Sequence, residues 1–312
     1  SLVTRLISDI PHPIEVIHGE KGASKTTTMR MNRSLIDPSL RDVISIPKAI
    51  QDLAITISNN YMPCFDNLDT ISSEKSDLFC IASTGGGYSK RRLYSDDDEL
   101  IVKFKSRITL NGTNVMATKS DLLDRCIVLT LERISEDERK EERVVWDSFN
   151  EDKPMILGAM FYALARAKRI YKTVNLTKLG RMADFTRWGY AVAEALEIGG
   201  EKFLEAYLNN QRKANQEAVD SSPIATALIK YMNDNNTFTG TVSQLLLCLN
   251  QVAENEQIDT TSKLWAKEPN VLSRRLNEMK SNLELEGIYY EITQRNHGRI
   301  IDIVKIPKEK VA

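Results

Sequence analysis

Short apolar runs set off by polar turns fill the first 130 or so residues, and beyond them apolar positions recur at helical spacing. The runs PIEVI (13–17), VISI (43–46), YMPCF (61–65), SRITLNG (106–112) and CIVLTL (126–131) are apolar and rich in β-branched residues, which predicts strands. A helix from Lys25 and another after Pro47 alternate with them, so residues 1–134 are expected to form an α/β sheet with parallel strands. From Ser135 the segments EDERKEERVVWDSF, PMILGAMFYALARAKRIY, RMADFTRWGYAVAEAL and EKFLEAYLNNQRKANQEAV are amphipathic, predicting a helical domain over 135–220. Ser221-Ser222-Pro223 then marks a boundary. A helix (PIATALIKYM), a turn (NDNNTFTG), two further helices (TVSQLLLCLNQVAE, NVLSRRLNEMKSNLELEG) and two β-rich runs around Gly298 follow. Three helices and a hairpin, over 221–312, are the order of a winged helix.

Composition narrows the function. The 312 residues are 42% hydrophobic and 27% charged with a net charge of −1, which excludes a uniformly basic nucleic-acid coat. Any DNA contact must use local patches or a surface assembled from several subunits. Cys64, Cys80, Cys126 and Cys248 have no paired spacing for zinc or redox chemistry, and read as core residues of a reducing cytoplasm. The most apolar stretch, 155–167, carries Arg166 and is too short for a bilayer, so no membrane partner is expected. The chain begins with Ser1, which suggests an excised fragment with an upstream domain missing.

The run HGEKGASKTTTMRMNRSLI (18–36) reads as a phosphate-binding loop that opens a helix. Gly19 and Gly22 let the backbone turn tightly and gather N–H groups around an anion, with Glu20, Lys21, Ala23 and Ser24 completing the loop. Lys25 would face the β- and γ-phosphates of ATP. Thr26 would ligate Mg²⁺ from the first helical turn, beside Thr27. Ser24 stands where glycine is usual.

Three further segments follow in an informative order. In YMPCFDNLDTIS, a strand ending in Asp66 can hold the metal's water shell beside the phosphate loop. Asn67 can orient a water but cannot take its proton, which leaves Asp69 as the candidate base; a polar loop is the plainer reading. Gly85-Gly86-Gly87 leads into SKRRLY and ELIVKFK, a predicted hairpin whose Lys90, Arg91, Arg92 and Lys103 either meet DNA phosphates or form a solvated strand. The strand SRITLNGTN ends in polar residues. Asn114 is placed to report the γ-phosphate or hold the lytic water, with Asn111 as its rival. Arg125, just before the buried run CIVLTL, can project into a neighbouring subunit's nucleotide.

Phosphate loop, acidic strand end, asparagine strand end and arginine, with helices behind, resemble the AAA+ superfamily, and within it the MCM-like helicases of mobile genetic elements. The helicases of staphylococcal chromosome cassettes are similar over essentially the whole chain. MCM proteins carry Gly-x-x-Gly-x-Ala-Lys-Ser, which matches the small residue at Ser24. The resemblance implies a hairpin at 88–105 lining a pore, an arginine finger at Arg125 in DLLDRC, and a second sensor at Arg181 in GRMADFTRW. It further implies an AAA+ core, a helical lid and a winged helix, acting as an ATP- and Mg²⁺-dependent DNA helicase in a homo-oligomeric ring, a hexamer. Asn67 departs from the MCM pattern, which has glutamate there.

Two other readings stay open: an initiator or helicase loader that uses ATP as an assembly switch, and a non-enzymatic winged-helix regulator. In the winged helix, Ser273, Arg274 and Arg275 are candidate DNA contacts, whereas Leu272, Leu276 and Met279 keep core spacing. Asn296, His297, Gly298 and Arg299 fit a wing tip.

Overall fold

The apolar run Ile14–Gly19 becomes the inner strand β1 of a four-stranded parallel sheet in the computed structural model. The structure describes residues 1–68, 71–91, 99–112, 120–177, 179–262, 264–295 and 298–306. These divide into two compact units, one of residues 1–112 and 122–212, the other of residues 120–121 and 213–306.

In the first unit, β1 leads through the loop 20–24 into α1 (Lys25–Ile36), followed by α2 (Ile50–Ser58), β2 (Cys64–Phe65) and α3 (Ser73–Thr84). The hairpin strands β3 (Gly86–Arg91) and β4 (Glu99–Phe104) precede β5 (Thr109–Gly112), α4 (Ser120–Leu123) and β6 (Cys126–Leu131). The sheet order is β2-β5-β1-β6, so β5, which comes later in the chain, inserts between β2 and β1. The run VISI forms no full strand: Ile44 alone bridges Phe65 on the outer side of β2. Pro63, which has no N–H to give the ladder, immediately precedes the two-residue β2.

The helices α5 (Glu142–Ile170) and α6 (Ala183–Ala195) complete this unit together with residues 200–212 of α7 (Gly200–Asp220). Two of the predicted segments merge into α5, which continues through Pro154. Packing outweighs the missing backbone donor there: Met160, Ala163 and Ala167 of the same helix are buried. On α7, the side-chain amide of Asn210 pairs with the outer edge of β6. It accepts from Val128 N–H at 2.9 Å and donates to Val128 C=O at 2.6 Å.

Glu15, in the middle of β1, is buried and neutralised by Arg5 at 3.5 Å. Arg5 also donates to Thr109 on the adjacent strand at 2.8 Å. A charged residue inside an apolar run is thereby satisfied, as burial demands.

The second unit holds α8 (Pro223–Asp234), β7 (Thr237–Thr241), α9 (Val242–Asn255), α10 (Pro269–Glu278), α11 (Lys280–Leu285), β8 (Ile288–Arg295) and β9 (Gly298–Lys305). Ser222 caps α8 by accepting from Ala225 N–H, and Thr241 and Gln244 form a capping box on α9. Two expectations are corrected. The predicted turn NDNNTFTG contains β7, which pairs with β9 into a sheet ordered β7-β9-β8. The predicted third helix breaks at Met279 into α10 and α11. Leu272, Leu276 and Met279 lie in the core with Leu245, Leu249, Ile288 and Ile301.

Candidate functional site

The loop 20–24 leaves β1 at the carboxyl end of the sheet, where β1 ends level with β6: Gly19 pairs in register with Leu131. A Cβ on Gly19 would stand 2.3 Å from the Leu131 carbonyl oxygen, so only glycine fits. Gly22 has φ +86° and Ser24 φ 52°. Ser24 thus takes the left-handed conformation that explains why glycine is usual before the lysine. A non-glycine residue bears it at a cost of about 1–2 kcal/mol.

Lys25 Nζ curls back onto the loop and donates to the carbonyls of Gly19 (2.8 Å) and Glu20 (2.7 Å). Glu20 and Lys21 are exposed, Ala23 is buried beneath the turn, and Thr27 is half-buried on α1.

Three side chains from different elements meet beside Lys25. The Thr26 hydroxyl donates to the Asp66 carboxylate at 3.1 Å. The Asn111 amide donates to Asp66 Oδ1 at 2.6 Å and to Thr26 Oγ1 at 3.2 Å. Asn111 reaches them because β5 lies between β1 and β2, at their shared carboxyl end. Leu68 N–H, just past the β2 loop, also donates to Asn111 C=O at 2.9 Å. Asn111 is buried, and its Oδ1 has no hydrogen-bond partner among the described residues.

Asn67 is exposed, with φ 56°, a conformation asparagine tolerates better than most residues. Its main-chain N–H donates to Asp66 Oδ1 at 2.8 Å, so its backbone is what orients the carboxylate. Asp69 and Asn114 lie outside the described residues; Asn111 is the asparagine that the described residues bring to the cluster.

The two candidate arginines lie elsewhere. Arg125 immediately precedes β6, and its carbonyl accepts from Ile14 N–H at the amino end of β1. The strand between puts that edge about 16 Å from the loop 20–24 of the same chain. Arg181 joins it there, paired with Asp124 at 3.1 Å. Gln211 Nε2 holds the same turn through Asp124 C=O at 2.9 Å. The sheet therefore carries the loop cluster at one edge and both arginines at the other.

On the hairpin, β3 and β4 pair with Lys90 opposite Leu100 and Gly87 opposite Lys103. Ile101 and Lys103 share an exposed face of β4, while Phe104 is buried. Arg92 lies outside the described residues, as do Asn296 and His297.

The donor set at the cluster is a hydroxyl and one carboxylate, hard oxygen ligands that suit Mg²⁺ sharing its shell with phosphate and water. Among the described residues no three His, Cys, Asp or Glu side chains gather, so an all-protein metal cage is not built there. No helix among them is long and apolar enough to cross a membrane.

Among solved structures, the A-form apo structure of the NrS-1 C-terminal region aligns with a TM-score of 0.39 at 11% identity. That alignment spans 95% of this chain and 67% of that one. No curated protein matches. Residues 224–310 match the AICE RepA C-terminal domain. Residues 1–217 match the actinomycete integrative conjugative element replication protein, and the chain belongs to that family.

Proposed function

We propose that this replication protein is an ATP-driven DNA translocase, a helicase that acts in copying its mobile element. The reading takes residues 1–134 as an AAA+ nucleotide-binding core, 135–220 as its lid and 221–312 as a winged helix, working in the cytoplasm. Similarity to MCM-like helicases, including those of staphylococcal cassettes, belongs to this proposal. The observation that carries it is the meeting of Thr26, Asp66 and Asn111 beside Lys25.

In this reading Lys25 leaves the Gly19 and Glu20 carbonyls for the β- and γ-phosphates of ATP. Thr26 and Asp66 would hold Mg²⁺, which neutralises charge on the transferring phosphate. Asn111 Oδ1 would accept a hydrogen bond from the attacking water and aim its oxygen, while Asn67 N–H keeps Asp66 in place. Asp69 and Asn114 are further candidates for the base and the γ-phosphate sensor. Hydrolysis asks for charge neutralisation and a placed water more than for covalent chemistry.

The remote arginine edge supports sites shared between subunits. Arg125, with Arg181 beside it, would enter the nucleotide site of the next protomer in a homo-oligomeric ring, a hexamer. Turnover around the ring would move the hairpins bearing Lys90, Arg91, Arg92 and Lys103 along a DNA strand. The test is ATP hydrolysis with and without single-stranded DNA, together with particle sizing. Stimulated turnover in a ring-sized particle, lost in Lys25→Ala, is expected; a monomer that hydrolyses no ATP would overturn the reading.

One feature favours an initiator or loader instead. Asn67 follows Asp66 where a proton-accepting side chain would speed turnover. Tight duplex binding with slow hydrolysis and no strand separation would select that alternative.

A further inference from the structure

The segment between β6 and α5 crosses the phosphate loop. Its Ile134 N–H donates to Gly22 C=O at 3.3 Å, fixing the crossing point at the middle of the loop. Arg133 and Arg139 flank that tie. A Cβ built on Gly22 would stand 3.7 Å from Arg139 Nη2 and 3.9 Å from Arg133 Cγ. Both arginines are exposed, and neither makes a hydrogen bond or ion pair with any described residue.

That lack of partners has a location that matters. The surrounding sequence, SEDERKEER, is rich in carboxylates, and Glu138 is taken by Ser135 Oγ at 2.7 Å. Elsewhere exposed arginines find acids, as Arg143 does with Asp147 and Arg274 with Glu278. Arg133 and Arg139 stand instead against a glycine-lined turn whose N–H groups suit an anion. Guanidinium groups form strong, forked, charge-assisted bonds to phosphate oxygens.

We infer that Arg133 and Arg139 are a second cationic arm of the nucleotide site, binding the phosphate chain in the same protomer as Lys25. The inference rests on the phosphate-loop reading above and adds ligand contacts to it. The arm differs from the Arg125 edge in its source: β6 ends at Leu131 beside Gly19, so the residues that follow stay with their own loop.

Equilibrium binding of fluorescent ATP, ADP and AMP to the full chain tests it, using wild type, Lys25→Ala and Arg133→Ala/Arg139→Ala. The double variant should bind ATP and ADP about tenfold or more weakly than wild type. Its loss for AMP should be smaller, and its nucleotide-free melting midpoint unchanged. Wild-type affinity in the double variant, with binding lost in Lys25→Ala, would overturn the arm and leave the loop reading standing. Nucleotide bound by none of the three proteins would overturn both. A lowered nucleotide-free midpoint, or lost DNA affinity with intact ATP affinity, would assign the arginines a different role and reject the arm.

Discussion

Asn111 Nδ2 and Asp66 Oδ1 lie 2.6 Å apart, joining the ends of two neighbouring strands across the mouth of the sheet. The bond commits the Nδ2 group to the carboxylate and leaves Asn111 Oδ1 without a hydrogen-bond partner among the described residues. Alanine at position 111 removes both functions while leaving Lys25 and the loop backbone untouched. Asn111→Ala is expected to lower ATP turnover by about 10²-fold, the usual cost of one positioned polar group. Nucleotide affinity should stay within a few-fold, and single-turnover hydrolysis beside a binding titration separates the two.

Arg125 offers a test of subunit sharing. Because it sits at the sheet edge remote from its own loop, Arg125→Ala should bind ATP as wild type does, with turnover down by about 10³-fold. Lys25→Ala should fail at binding. Mixing the two inactive variants should restore part of the activity, since some seams then join an intact Lys25 to an intact Arg125. No recovery in a mixed, ring-sized particle would place the two residues in one protomer's site.

Gly19→Ala addresses the loop's foundation. Its Cβ would meet the Leu131 carbonyl at 2.3 Å, and β6 cannot retreat while it is laddered to β1. Destabilisation of roughly 2–4 kcal/mol is expected in urea unfolding. Gly158→Ala, where an added methyl meets nothing within 4 Å, is the control.

His12 links stability to acidity. Burial, and then the nearby Arg107 charge with smaller contributions from Arg5 and Lys105, pull its pKa down to about 3 from 6.5. The native ring is therefore neutral and donates from Nε2 to Ile7 C=O at 2.8 Å, with Nδ1 left without a hydrogen-bond partner among the described residues. Below pH 6.5 the unfolded chain binds a proton that the native state refuses. Stability from this group is full above pH 6.5 and falls as pH drops towards 3, by about 1.4 kcal/mol per unit. Denaturation at pH 5 and pH 7.5 should show His12→Gln losing less stability than wild type on acidification.

Local chemistry made much of the architecture readable, and long-range pairing hid the rest. The turn from β1 into α1 announces itself because two glycines, a lysine and a threonine fall within a few residues of an apolar strand. Ser222 and Pro223 mark the start of α8 for equally local reasons. By contrast α3 has no amphipathic stripe: Ser76, Leu78, Phe79, Cys80, Ala82 and Ser83 are all buried, so no polar face betrays its period. Strand β7 was hidden by its polar, turn-like composition, and it exists because β9 lies beside it. That Asn111 meets Asp66 depends on the register of β5 against β2, which spacing along the chain does not encode. Arg5, Asn210 and Arg139 gave no signal, because each acts on a residue far away in sequence.

The side-chain amide of Asn210 imitates a fifth strand at the outer margin of β6. A sheet finished in this way offers no open backbone ladder at Val128 for another molecule to extend. Copies of this protein that assemble along that flank must recognise each other by side chains, which can separate and re-form within a working cycle where a continuous shared sheet would lock them together.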